Sequence, residues 1–457
     1  MEIHSISTNA KFGDKRLNIR FEKILNILSI QIEHSIPRTF KKWTITKAVY
    51  RFLNNKKVTQ EAIIESQYSS WSWITEKEIY LAIHDTTELD YTGHRSEKHL
   101  GCLEYENKRG VFLHNTLLCD GQGIPQGVFH QHFWSRDPES LSKKKERKHL
   151  SIEEKESNRW VESVVRVDSF FKEHPLSTVV NICDREGDIY ELLSLTVQAN
   201  NYFIVRSCNN RKTHNEDDKI WDQVKKERVQ NKYDIEITDR QTFKKRVAHL
   251  EVRWLENILL SPPYRKNEKL TAVKVNIIYV QEINPPAGEK PIDWKLLTSL
   301  SLGSQEQVLN IITYYSYRWR IETFHYILKQ GCNIESLQLA QEQSLKNAIS
   351  LYSLMACRLL AMMYLSREKP STELCAIGFT DHHFFLLRTY LEKNYEFKFN
   401  QKTNEPTIQN FTQLIGMLGG YLKHNSPHPG IKVLWRGMRE FLTIINCFEI
   451  LNENKCG

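Results

Sequence analysis

"TVVNICDREGD", residues 178–188, sets an apolar run from Val179 to Cys183 against an abrupt polar stop at Asp184. A short apolar run ending in a turn reads as a buried strand. The segment after it, with Ile189, Tyr190, Leu192, Leu193 and Leu195, changes to helical spacing. Strand, loop and helix in that order predict an α/β core. "IYLAIHDTT", residues 79–87, repeats the pattern, its apolar run from Ile79 to Ile83 stopping at His84-Asp85. Asp85 and Asp184 are therefore both expected at the mouth of a strand, where a side chain is held rigidly and still reaches solvent. Each also has a plainer reading, Asp184 as the N-cap of the next helix and Asp85, before Thr86-Thr87, as a turn former.

Downstream of this core the pattern changes. Tyr233, Ile235 and Ile237, then Ala248, Leu250, Val252 and Trp254, then Val273, Val275 and Ile277 alternate with mostly polar neighbours. That alternation predicts an antiparallel sheet with one wet face, inserted at about 208–300. The run "LSKKKERKHLSIEEKES", 141–157, reads as a charged loop or solvated helix. "YYSYRWRIETFHYILKQG", 314–331, contains no breaker before Gly331 and predicts one helix capped there. At 3.6 residues per turn it stacks Tyr315, Arg318, Glu322 and Lys329 on one face. In isolation Arg318 and Glu322 could be a solvated (i, i+4) ion pair worth a few tenths of a kcal/mol. "AISLYSLMACRLLAMMYLS", 348–366, is apolar nearly all round and reads as a buried helix.

The chain has 457 residues, enough for two or three cores, with 40% hydrophobic residues and a net charge of +8. Residues 1–70 hold twelve Lys/Arg against six Asp/Glu, and Leu17, Phe21, Ile24, Leu25 and Leu28 follow a helical period after a Gly13-Asp14 entry turn. A basic helical head on a nearly neutral body fits a polyanion partner, although a solvated helical domain carries similar charge. No membrane span or signal peptide is expected from the apolar runs, and nine scattered cysteines without CxxC spacing argue against a disulfide framework or zinc ribbon. A reducing cytoplasm fits that usage.

Asp85, Asp184 and Glu322 together suit hard oxygen ligands for one or two Mg²⁺ ions, with Arg318 and Lys329 placed to hold a phosphodiester. The spacing Tyr315-x2-Arg318-x3-Glu322-x6-Lys329 resembles the Tyr-Arg-Glu-Lys signature of bacterial insertion-sequence DDE transposases, the group that includes the cut-and-paste transposase of transposon five. Further segments are similar in the same order: "FGDKR" (12–16), "AVYRF" (48–52), "IHDTT" (83–87), "CDREGDIY" (183–190), "FIVRS" (203–207), "EINPP" (282–286), "WKLLTS" (294–299), "YRWRIETFH" (317–325), "LGGY" (418–421) and "PGIKVLW" (429–435).

The resemblance implies an RNase H-like α/β catalytic core with an inserted antiparallel sheet over residues 71–368. A helical end-binding domain over 1–70 and a helical, dimerising domain over 369–457 would flank it. It implies Asp85, Asp184 and Glu322 as the metal-binding triad for two Mg²⁺ ions, with Mn²⁺ able to substitute. Tyr315, Arg318 and Lys329 would grip DNA phosphates, and Trp294 would stack on a flipped base. Trp319 and Arg206 would belong to the same DNA-binding neighbourhood, and Arg20 and Arg51 to end recognition. The implied partners are double-stranded DNA, as transposon ends and target, and a second copy of the chain, in a bacterial cytoplasm at the nucleoid. An RNase H-like nuclease would share the triad without needing Trp294, and a non-catalytic DNA-binding descendant would keep only the head. Asp188, four residues after Asp184, is expected to orient neighbours rather than to bind metal.

Overall fold

A computed structural model describes residues 10–30, 35–68, 71, 74, 78–94, 98–138, 150–198, 201–214, 217–238, 245–263, 270–395, 404–423 and 427–453. Residues 141–149 of the charged run lie outside that set. The described strands are β1 (Ile79–Asp90), β2 (Gly110–Asp120), β3 (Pro125–Trp134), β4 (Thr178–Cys183), β5 (Tyr202–Arg206), β6 (Asn231–Thr238), β7 (Lys245–Leu260), β8 (Val273–Ile283) and β9 (Asp293–Thr298). The architecture is mixed α/β, with a large sheet and helices.

The chain forms two units. One comprises Met1–Glu76, Thr86–Lys144 and Trp319–Gly457, the other Lys77–Asp85 and Lys145–Arg318. In the second unit the strand order is β1-β4-β5-β9-β8-β7-β6. β1, β4 and β5 are parallel, with Ile83 opposite Ile182 and Ile182 opposite Ile204, and β5 onward is antiparallel. The split follows the patterning: β4 is apolar from Val179 to Cys183 but for Asn181, whereas β6 and the first half of β7 alternate. Trp160, Tyr190, Phe203, Val205, Ile220, Leu260, Val275 and Leu297 are buried together in its core. The alternating segments at 233–237, 248–254 and 273–277 are indeed antiparallel neighbours.

In the first unit the order is β3-β2-β1. Gly13 takes a positive φ of 70° ahead of the helix Lys15–Ile30, whose first turn is closed by the Leu17 N–H donating to the Asp14 carbonyl at 2.9 Å. Phe12, Phe21 and Phe52 pack as a ring cluster with centroids 5.1 to 6.1 Å apart. The long helix Glu342–Glu368 anchors this head. Asn347 Nδ2 donates to the Leu53 and Val58 carbonyls at 2.9 and 2.8 Å, and the buried Arg358 donates to Ser29, Ile377 and Gly378 carbonyls. By length and hydropathy that helix could cross a membrane, contrary to the reading of the apolar runs, but 89% of its apolar window is buried as core. Helices Ile408–Leu418 and Ile431–Glu453 follow in the C-terminal stretch.

Two expectations are overturned. Asp85 is not at a strand end, because β1 continues to Asp90: Thr86 Oγ1 bonds His114 Nδ1 on β2 at 2.9 Å, and Leu89 is fully buried. Residues 314–331 are not one helix either. The helix Gln305–Ser316 ends in a turn in which the Tyr317 and Arg318 N–H groups donate to the Tyr314 and Tyr315 carbonyls. A new helix, Trp319–Tyr326, then passes into a π turn, Ile327–Gly331. Burial of Tyr315 and Arg318, at 2% and 7% exposure, overrides the local helical preference. Gly331 closes the π turn, its backbone against the Trp435 ring, 3.0 Å from where a Cβ would stand.

Candidate active site

In the second unit, Asp85 and Asp184 each follow by two residues the paired Ile83 and Ile182, which sets Asp85 on β1 beside Asp184 just past the end of the parallel β4. The buried Cys183 thiol senses both: burial pushes its pKa up, and the Asp184 and Asp85 charges push the same way. Asp184 is also an N-cap. Its Oδ1 accepts the Glu186 N–H at 2.8 Å and starts the 3₁₀ turn Arg185–Gly187. The cap engages one oxygen and fixes the carboxylate's orientation, so the capping and ligand readings are compatible. Gly187 is required because a Cβ there would lie 2.5 Å from Cys183 Cβ and 3.0 Å from the Trp160 ring.

Four other sequence-selected residues gather in this unit. Burial raises the Tyr315 phenol's pKa, while Arg318 and Arg206 pull it down and Asp184 pushes it up, which places all three charges around the phenol. The Tyr315 hydroxyl is buried with no protein partner in hydrogen-bond geometry, although the Arg206 guanidinium is near. Arg206 Nη2 donates to the Asp293 carbonyl at 3.0 Å, and the half-buried Trp294 meets the Tyr315 ring edge-on, centroids 5.3 Å apart. Two adjacent carboxylates are hard oxygen donors and fit a divalent cation that keeps open positions for water and phosphate. The guanidiniums suit phosphate oxygens.

In the first unit, Glu322 is half-buried on the helix Trp319–Tyr326, and Trp319 is 39% exposed. Two buried anchors hold that helix: Arg320 donates to the Gly123 carbonyl and lies over the Tyr364 ring, and His325 Nε2 bonds Asn115 Nδ2 at 2.9 Å. Lys329, in the π turn, lies 3.6 Å from Glu335. Among the described residues no group of three or more His, Cys, Asp or Glu side chains lies close enough to hold a metal ion. The pairing within one unit is that of Asp85 with Asp184. Arg20 and Arg51 lie on the head helices Lys15–Ile30 and Trp43–Leu53. On the second of these, Trp43, Lys47 and Arg51 form an exposed stripe at four-residue spacing, Trp43 being 71% exposed.

The sequence reading missed the buried polar partners of the carboxylate-bearing segments. His84 Nε2 donates to Asn181 Oδ1 at 3.0 Å, both side chains fully buried, and Asn181 Nδ2 donates to the Tyr202 carbonyl at 3.3 Å. Behind Glu322, Asn115 Oδ1 accepts from Gln131, which also bonds Ser350 and Ser353. The available signal was a lone polar residue inside an apolar run, as in "VVNIC", since a buried amide needs a partner. Asp188 is saturated by an ion pair with Arg211 and by the Cys208 and Asn209 N–H groups at 2.7 and 2.9 Å. Those contacts account for it as an orienting group.

Residues 4–58 match the family model described as Transposase DNA-binding, and residues 194–358 the one described as Transposase DDE domain. The two matches support an insertion-sequence DDE transposase that acts on DNA. A DDE domain implies an RNase H-like core, and such domains normally use divalent metal ions. Arg20 and Arg51 fall in the first match, and Arg206, Trp294, Tyr315, Arg318, Trp319, Glu322 and Lys329 in the second; Asp85 and Asp184 precede it.

Proposed function

We propose that this protein is a cut-and-paste transposase of the Tyr-Arg-Glu-Lys type, cleaving at transposon ends, forming a hairpin on the excised end, reopening it and joining the 3′ end to target DNA. The observation that carries the reading is the adjacency of Asp85 on β1 and Asp184 just past the end of the parallel β4, with Asp184, Arg206 and Arg318 around the Tyr315 phenol. Asp85, Asp184 and Glu322 would hold the divalent ions, two Mg²⁺ with Mn²⁺ as substitute. Bound there, such ions lower the pKa of an attacking oxygen and neutralise charge on the phosphodiester. The chain's own groups do the rest. Arg318 and Arg206 fix the phosphate by their planar forks, Lys329 adds a point charge, and Tyr315, beside Arg206 and Trp294, completes the grip on the DNA backbone. Trp294 offers a face on which an unpaired base stacks, offsetting the cost of flipping it.

The same reading takes residues 1–70 as the end-binding domain, with Arg20 and Arg51 on DNA, 71–368 as the catalytic domain, and 369–457 as the dimerising domain of a homodimer that holds two ends. It places the protein in the cytoplasm, at the nucleoid, with Trp319 beside the DNA. The test is incubation with Mg²⁺ and a plasmid carrying the inverted repeats that flank the gene. Hairpin-ended excised fragments are expected, lost in Glu322→Gln with end binding retained, and reduced more than first nicking in Trp294→Ala. Nonspecific nicking without hairpins would instead favour a nuclease, and a Glu322→Gln variant that still cuts would refute the triad.

A further inference from the structure

The geometry points to a buried platform of His84, Asn181 and Trp160 as the device that sets the spacing of Asp85 and Asp184, which makes these three positioning residues for the metal-binding carboxylates. The inference rests on the assignment of those two aspartates as ligands. None of the three can reach DNA: each side chain is fully buried. Yet each touches a segment that carries a carboxylate.

His84 precedes Asp85 on β1, and Asn181 lies three residues before Asp184 on β4. Their side-chain hydrogen bond, 3.0 Å long, crosses between the two strands, and Asn181 continues it to the Tyr202 carbonyl on β5. Backbone ladder bonds alone leave parallel strands free to shear slightly. A side-chain bond between them adds a fixed length beside the two carboxylates. With Asn181 Oδ1 as acceptor, His84 donates from Nε2.

Trp160 completes the platform from the helix Asn158–Lys172. Its ring centroid lies 6.5 Å from that of His84, and its Cε3 atom stands 3.0 Å from where a Cβ on Gly187 would be. Gly187 ends the turn that Asp184 caps. One indole thus supports the histidine beside Asp85 and the turn that orients Asp184. Groups that orient metal ligands without touching the metal typically cost 10- to 100-fold in affinity or activity when removed, so an effect of about that size is expected here.

The test compares wild type with His84→Phe, Asn181→Leu and the double variant, reading the melting temperature, Mn²⁺ binding by electron paramagnetic resonance, and nicking of end-bearing DNA. Each single change strands one buried polar group and is expected to destabilise the fold. The double variant removes both partners and is expected to recover most of the melting temperature. If the pair positions the carboxylates, the double variant still binds Mn²⁺ about 10-fold or more weakly and nicks correspondingly slowly. Recovery of Mn²⁺ affinity and nicking along with the melting temperature would show a purely structural pair and overturn the inference. Asp85→Asn and Asp184→Asn are the controls. If both bind Mn²⁺ as wild type does, the ligand assignment fails, and the platform's role with it.

Discussion

Asp188 sits four residues from Asp184 and offers the sharpest contrast between a ligand and a residue that merely resembles one. Its side chain is fully buried, paired to an Arg211 side chain that is 12% exposed, and accepts the Cys208 N–H, the Asn209 N–H and Asn209 Nδ2 at 2.7, 2.9 and 3.0 Å. Asp188→Ala strands a nearly buried guanidinium and two backbone donors. Removing one partner of a buried ion pair costs about 3–5 kcal/mol, and the residual exposure of Arg211 favours the lower end. Two unmade backbone bonds, at roughly 1–3 kcal/mol each, lead to the same range. At about 2–4 °C per kcal/mol, a loss near 3 kcal/mol lowers the melting temperature by roughly 6–12 °C. Asp188→Asn keeps an acceptor of the same shape and is expected to cost about half as much. Thermal unfolding and Mn²⁺ binding are read side by side: Asp188→Asn lowers the first and keeps the second, and Asp184→Asn loses the second. A melting temperature within about 1 °C of wild type in Asp188→Ala, or loss of Mn²⁺ binding in Asp188→Asn as complete as in Asp184→Asn, would refute the reasoning.

Three other outcomes are expected. Burial, and then the Lys329 charge, hold the His325 pKa near 3 against an ordinary 6.5, so the unfolded chain binds the proton first and stability falls as pH drops from 6.5 toward 3. The full span is worth on the order of 5 kcal/mol, and His325→Gln should flatten urea stability against pH across that window. Arg51→Ala should weaken binding to end DNA and reduce the slope of log K against log salt by about 1, measured by fluorescence anisotropy, and an unchanged slope would remove Arg51 from the interface. At Gly437 a Cβ would collide with the Ile415 carbonyl, so Gly437→Ala should separate the helices Ile408–Leu418 and Ile431–Glu453 and cost about 1–3 kcal/mol in thermal unfolding.

The elements legible in the sequence were those whose pattern is set locally. β4 could be read because a strand covered on both faces is apolar at most positions, Asn181 being the exception between Val179 and Cys183, and β6 to β8 because one wet face imposes alternation. The reach of β1 past Asp85 was hidden because Thr86 finds its partner, His114, on a strand 28 residues away. The break at Tyr317-Arg318 was hidden for a similar reason. Nothing in "YYSYRWRIE" disfavours a helix, and what stops it is the burial of Tyr315 and Arg318. Of the site, the carboxylates and arginines stood out by chemistry and spacing. The amides and histidines behind them did not, because a hydrogen bond between Asn115 and His325 leaves no local trace.

The order in which the segments of the first unit leave the ribosome has a consequence of its own. The second unit draws on nothing after Arg318, whereas the first also requires Trp319 onward. The head is emitted early, but the Asn347 and Arg358 bonds to Leu53, Val58 and Ser29 wait for the helix Glu342–Glu368. At ~5–20 residues per second, the stretch from 319 to Arg358 takes roughly 2–8 s to synthesise. Throughout that interval the basic head exists without its anchor.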